Sequence, residues 1–241
     1  GLTQSHSKNE QIVGRIASLH NQVKRRGVED ILWARTKSED QLYMRDAIFT
    51  ASESRATLVL FENSKIELSE NTLVVLEPPA EDSSQIIRLK FNTGAIASRM
   101  ANKTEVKAGD YELKIEAGSE FHLRSEGNGY ELELKKGTAQ VISEEKTVQV
   151  NEKESLIMSE GKTESLKVSD EINWKNSDYL RLYALEKDVT AQLSWNGEAE
   201  ELLIKDKINL NLSQKVTGES TNLKVSRGTY FLRLKKNETY S

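Results

Sequence analysis

Carboxylates apart, the side chains of this 241-residue chain best suited to acid–base, nucleophilic or metal chemistry are few and widely separated. Histidine occurs at His6, His20 and His122, and none stands at a metal-ligand spacing such as H-E-x-x-H from another histidine or an acid. His122 lies between Phe121 and Leu123 in an alternating run, which directs its ring toward water. Cysteine is absent, which removes disulfides, thiolate metal sites and thiol nucleophiles together. Carboxylates are plentiful. In "ELELKK" and "YELKIEA" they alternate with apolar residues, the pattern of a solvated β face rather than of a paired acid and base. Glu144-Glu145 and Glu200-Glu201 read as a turn and a strand start. The sequence has no G-x-S-x-G, phosphate-loop or dinucleotide motif. These patterns predict no catalytic residue, no metal ligand and no cofactor site.

Charge patterning narrows the partners. Charged residues make up 30% of the chain, interspersed in sign, with a net charge of −4, so nothing draws the whole molecule toward nucleic acid or an acidic membrane. The run "KRRGVED" (Lys24–Asp30) predicts a solvated hairpin turn around Gly27. Trp33, Tyr43, Phe49, Phe61, Phe91, Trp174 and Trp195 lack the basic interleaving of a nucleic-acid surface. Most are expected in the core, with Trp174 expected to dock two modules against each other. No segment reaches the roughly 18 apolar residues that span a bilayer. The opening "GLTQSHSKNEQ" is polar and lacks the apolar region of a signal peptide, so an anchor, if there is one, is expected upstream of it.

The elements that must position these residues are short strands. Period-two alternation runs through Ile31–Arg35, Ala56–Phe61, Ser64–Ser69, Thr72–Glu77 and Ile86–Phe91. It continues through Tyr111–Ala117, Glu120–Ser125, Tyr130–Lys136, Thr138–Ser143, Lys146–Val150 and Glu154–Ser159. Asn128-Gly129 predicts a two-residue hairpin turn. One segment is ambiguous: Ile12, Ile16, Leu19 and Val23 have helical spacing, while Ile12–Leu19 reads equally as a strand. "EPPAEDSSQ" (Glu77–Gln85) reads as a loop. Strands at this spacing predict an all-β sandwich, barrel or solenoid.

Alternation lapses over Ser169–Val189 and then resumes in Thr190–Trp195, Glu200–Asp206, Thr221–Ser226 and Thr229–Lys235. The expected organisation is an all-β domain over 12–168, a linker over 169–188 and a small β module over 189–241.

Residues 12–160 carry a further pattern. A Val13-Gly14 strand is followed by Trp33, by the Leu42-Tyr43-x-x-Asp46 turn, and by a strand built on Thr50, Ser54, Arg55, Ala56 and Leu58. Ser64, Leu68 and Asn71 follow, and later "YELELKKGTAQVISEEKTVQVNEKESLIM". This series resembles the FecR domain of bacterial envelope proteins. It departs at Glu62-Asn63, where the family has Asp-Gly. The tail, with Trp195 on an early strand and "GTYFLRL" late, resembles part of an immunoglobulin- or fibronectin III-like module, shorter than the roughly 100 residues of a full one.

The resemblance implies a β-solenoid-like or sandwich FecR-type domain followed by a small Ig-like β module, located in the periplasm or cell envelope and anchored there. It also implies a non-enzymatic role, with Asp46 and Arg55 as structural turn residues and another envelope protein as partner. The alternative is a peptidoglycan- or glycan-binding module, which needs exposed aromatic platforms.

Overall fold

Every regular element of the computed structural model is a β-strand among the described residues, which are 11–61, 63–78, 86–144, 146–160, 162–168, 173–175, 188–206, 211–226 and 230–240. The chain forms two compact units, Gly1–Glu152 with Leu156–Glu164, and Lys153–Ser155 with Ser165–Ser241. The expected linker over 169–188 lies outside the described residues apart from 173–175 and Asp188, as does most of the expected loop over 77–85.

The first unit holds β1 (Ile12–His20), β2 (Val23–Arg26), β3 (Ala34–Arg35), β4 (Gln41–Tyr43), β5 (Ala47–Thr50), β6 (Arg55–Leu60), β7 (Ser64–Leu68) and β8 (Leu73–Glu77). It continues with β9 (Ile87–Thr93), β10 (Ala95–Arg99), β11 (Thr104–Ala108), β12 (Tyr111–Ile115), β13 (Glu120–Glu126), β14 (Gly129–Lys136), β15 (Thr138–Ile142), β16 (Thr147–Asn151) and, from Leu156 on, β17 (Glu154–Ser159). Two sheets result. One runs β17-β14-β13-β10-β7-β6-β1-β4, the other β16-β15-β12-β11-β9-β8-β5-β2-β3. The chain lays a hairpin in one sheet and then crosses to the other: β6-β7, β8-β9, then β10 alone, β11-β12, β13-β14 and β15-β16. Because β10 crosses singly, β9 and β11 pair in parallel, with Ile87 opposite Thr104 and Phe91 opposite Ala108. Alternate residues of both sheets meet in one core that includes Ile16, Leu58, Ile66, Phe91, Val106 and Leu132.

The segment that the sequence left ambiguous is the strand β1. Its pairing shifts register between Ile12 and Gly14 on the β4 side and between Ile16 and Ser18 on the β6 side. A bulge adds one residue to one strand, so inward residues fall three apart rather than two. Val13 and Ile16 are buried for that reason, and two bulges imitate helical spacing.

Crossing between sheets needs sharp corners, and buried hydroxyls hold them. Thr72 Oγ1 accepts the Ala95 N–H at 3.0 Å and donates to the Ala95 carbonyl at 3.1 Å, while Thr50 Oγ1 accepts the Thr72 N–H at 3.0 Å. Gly94 sits at this corner with φ of 95°, and a Cβ there would lie 2.2 Å from Thr72 Oγ1. Gly137 repeats the arrangement, with φ of 91° and Ser119 Oγ 2.2 Å from where a Cβ would stand. Both positions require glycine on grounds of backbone and of space.

Two sequence readings shift in detail. Ile31–Arg35 was expected to be a strand, but only Ala34 and Arg35 pair, because Ile31 and Leu32 lie in the bend that returns the chain from β2. The turn expected at Asn128-Gly129 is centred one residue earlier. Glu126 pairs with Gly129, and Gly127 takes the positive φ of 55°. Gly129 is needed instead for space, since a Cβ would stand 2.0 Å from the Met158 carbonyl oxygen.

The second unit contains the end of β18 (Lys162–Val168), β19 (Asn173–Trp174), β20 (Asp188–Asn196), β21 (Glu201–Asp206), β22 (Asn211–Lys215), β23 (Ser220–Ser226), β24 (Tyr230–Lys236) and β25 (Thr239–Tyr240). Its sheets run β22-β21-β24-β25-β18 and β19-β20-β23. Trp195, Leu193, Leu202, Leu223 and Leu234 form its core. Trp174, expected to dock two modules, packs edge-on against Trp195 at 5.9 Å and joins this core. The two residues are cross-strand partners in β19 and β20, which brings the rings together.

Candidate interaction surfaces

Asp46 closes the turn between β4 and β5. Its Oδ2 accepts the Tyr43 N–H at 2.9 Å and the Arg25 Nη1 at 3.1 Å. Arg25 also donates to the Gln41 carbonyl at 2.8 Å, and its guanidinium lies over the Tyr43 ring at 5.6 Å. Leu42, between them, is fully buried in the core. The Leu-Tyr-x-x-Asp pattern is thus a turn whose apolar residue faces inward and whose acid binds the turn's own backbone. Arg25 departs from the solvated turn expected over Lys24–Asp30: it is 6% exposed and Asp46 2%. Arg55 is exposed and opens β6 opposite His20. Ser54, in the turn before it, is buried and accepts the Gln22 N–H at 3.0 Å.

The outer face of the first sheet carries a ladder of opposite charges. Arg99 pairs with Glu120 at 2.9 Å, Lys135 with Glu133 at 2.7 Å, and His122 stands 3.7 Å from Glu133. Arg124 holds Glu131 with Nε at 2.7 Å and with Nη2, both on Oε2. Desolvation alone would lower the Arg124 pKa. The charge and hydrogen bonds of Glu131, with the charges of Glu126 and Glu133, outweigh it and raise the pKa above its ordinary value. Glu131 is buried, against the expectation that the acids of "ELELKK" are solvated, because Arg124 lies directly opposite it across the β13-β14 pair. Among the described residues no cluster of three or more His, Asp or Glu could hold a metal ion. His20 faces Arg55 across β1 and β6, and His6 lies outside the described residues.

Two further exposed features stand out among the described residues. The first is β16, the edge of the nine-stranded sheet. Ser143 donates its N–H to the Lys146 carbonyl at 2.9 Å, which closes the β15-β16 hairpin and sets its phase. Antiparallel alternation then turns the N–H and C=O of Thr147 and Gln149 away from β15, while Val150 points into the core. The second is the tip of the β2-β3 hairpin, where Ile31 is 89% and Leu32 75% exposed. Sequence patterning signalled the first as an alternating run and missed the second, because aliphatic pairs ordinarily mark a core.

Residues 46–140 match the family described as FecR protein. The segment runs from the Asp46 turn through β15, so the resemblance seen in the sequence holds for this part of the chain. Two crystal structures of a "putative anti-sigma factor" from Parabacteroides distasonis ATCC 8503, at 2.50 and 1.65 Å resolution, align at 16% identity with a TM-score of 0.43. Each alignment covers 50% of this chain and 59% of that one. No curated protein matches. No helix among the described residues is long and apolar enough to cross a membrane.

Proposed function

We propose that this chain is a non-catalytic signalling domain of the bacterial envelope, which binds an extended segment of a partner protein along the edge of its second sheet. The observation that carries the reading is the open strand β16. Its outward N–H and C=O groups at Thr147 and Gln149 lie next to a core anchored by Val150, the geometry that accepts an added strand. The FecR match over 46–140 supports an envelope location and a regulatory role. The charge ladder on the first sheet supports a non-enzymatic reading, since its acids are neutralised by adjacent bases rather than set around a cleft. A glycan platform is less well supported: Trp33, the aromatic nearest the surface tip, is half-buried with Arg26 over its ring at 4.9 Å and Phe49 against it at 6.1 Å. We read the second unit as an Ig-like module on the strength of its buried Trp195.

The test is crosslinked capture from envelope extracts with three baits: the native chain, Gln149→Pro and Leu58→Asp. Proline removes the outward N–H of Gln149 and leaves the β15 ladder intact. A protein retained by the native chain and lost with Gln149→Pro, while the Gln149→Pro melting curve stays native, upholds the reading. Equal retention by Gln149→Pro and the native chain refutes the edge. Recovery of peptidoglycan fragments alone supports the glycan alternative.

A further inference from the structure

We propose that the tip of the β2-β3 hairpin is a membrane-contact loop that inserts Ile31 and Leu32 into the surface of an anionic bilayer. The hairpin pairs Lys24 with Arg35 and Arg25 with Ala34, so residues 27–33 project beyond the last paired rung. Their conformation is built rather than loose. Asp30 turns back so that its Oδ2 accepts the Gly27 N–H at 3.1 Å, its own N–H donates to the Gly27 carbonyl at 3.2 Å, and Arg26 covers Trp33 at the neck. This turn presents two adjacent large aliphatic side chains to water, Ile31 and Leu32, with Val28 beside them at 52% exposure. No other pair of neighbouring large apolar residues among the described residues is so exposed.

Charge selects the occupant. The chain as a whole is net negative, yet over residues 24–37 the bases Lys24, Arg25, Arg26, Arg35 and Lys37 stand against the acids Glu29 and Asp30. Arg25 is neutralised by Asp46, so Lys24, Arg26, Arg35 and Lys37 stand against Glu29 and Asp30, and the loop keeps an excess of two positive charges around its apolar point. A convex aliphatic tip with a basic rim fits a fluid apolar layer bearing anionic headgroups: the aliphatics enter the acyl boundary and the rim stays at the headgroups. This surface belongs to the hairpin tip, whereas the proposed partner edge is β16, so each can fail without the other.

The test uses sedimentation of the full chain with vesicles of phosphatidylcholine alone and of phosphatidylcholine with an equal amount of phosphatidylglycerol. The expected result is binding to the mixed vesicles at low salt, about tenfold weaker on phosphatidylcholine and at raised salt. Ile31→Asp with Leu32→Asp should weaken it about tenfold or more with an unchanged melting curve. Because the chain lacks cysteine, Leu32→Cys can carry an environment-sensitive dye. Its emission should shift to the blue on adding mixed vesicles, and that of the same dye at Gln149→Cys should not. Absence of binding by the native chain, equal binding by the double variant, or a dye at position 32 that stays in water while the protein sediments would each overturn the proposal. So would loss of self-association in the double variant without vesicle binding by the native chain, which would assign the tip to a second copy.

Discussion

Arg25 and Asp46 form an ion pair at 3.1 Å that is almost entirely withdrawn from water. Arg25 belongs to β2 and Asp46 immediately precedes β5, and these strands pair along Val23–Arg26. The pair therefore ties a sheet rung to the turn that leads into it, with the Gln41 carbonyl accepting a second hydrogen bond from the guanidinium and the Tyr43 N–H donating a second to the carboxylate.

Removing one partner leaves the other charged and buried. Asp46→Ala is expected to cost about 3–5 kcal/mol, whereas replacing both residues together by Met and Leu should cost far less. Urea unfolding of the two variants checks this. Equal midpoints for Asp46→Ala and the native chain would show that the pair does not support the fold.

The core and the charged face should respond oppositely to substitution. Leu58 is fully buried, so Leu58→Ala should cost about 2–5 kcal/mol and Leu58→Asp should unfold the first unit. His122→Ala and Glu144→Ala, both at partly or fully exposed positions, should change stability by no more than about 0.5 kcal/mol. A shared set of thermal melts decides it.

Corner glycines should separate into two classes. Gly94→Ala and Gly137→Ala meet both a positive φ and a contact at 2.2 Å, and should cost about 3 kcal/mol, since backbone strain and overpacking each contribute about 1–3 kcal/mol. Gly118→Ala has a φ of 80° but open space around its Cβ, so only the backbone term applies and the loss should be about half as large. Equal losses at all three positions would show that packing against Thr72 and Ser119 contributes nothing.

In the second unit, the hydrogen bond from Lys175 and the charge of that residue lower the Glu219 pKa below the ordinary glutamate range. A carboxylate with a depressed folded pKa stabilises the fold above its unfolded pKa and loses that contribution as pH falls through the folded value. Titration by carboxyl NMR should find Glu219 low. Lys175→Ala or raised salt should return it toward normal, because both groups are substantially exposed.

The sequence made the all-β architecture legible wherever large apolar residues alternated with charged or polar ones, as in β7, β12 and β13. It concealed strands whose inward positions hold small or hydroxyl residues. β10 turns Ile96 and Ser98 inward and β11 turns Thr104, Val106 and Ala108 inward, and neither looks like a core strand by hydropathy. The same is true of Thr50, Ser54, Ser64 and Thr72, whose hydroxyls satisfy backbone groups at turns and crossings where an aliphatic residue would leave them unpaired. Leu42-Tyr43-x-x-Asp46 was legible as a motif, but its partner Arg25 was not, because a base in a run of bases gives no sign of burial. Ile31 and Leu32 misled in the other direction, since two aliphatics flanking a tryptophan read as a strand.

The lone crossing of β10 has a mechanical consequence. The hairpins before it and the hairpins after it are joined in the first sheet through β10, which pairs with β7 on one side and β13 on the other, and in the second through the parallel contact of β9 with β11. Antiparallel hairpins drawn apart from one end open rung by rung, each rung bearing the load in turn. Parallel strands drawn from opposite ends slide past each other and load all rungs at once. The β9-β11 seam is therefore the stiff link in a chain of zippers, the place where tension along the polypeptide is shared rather than passed on.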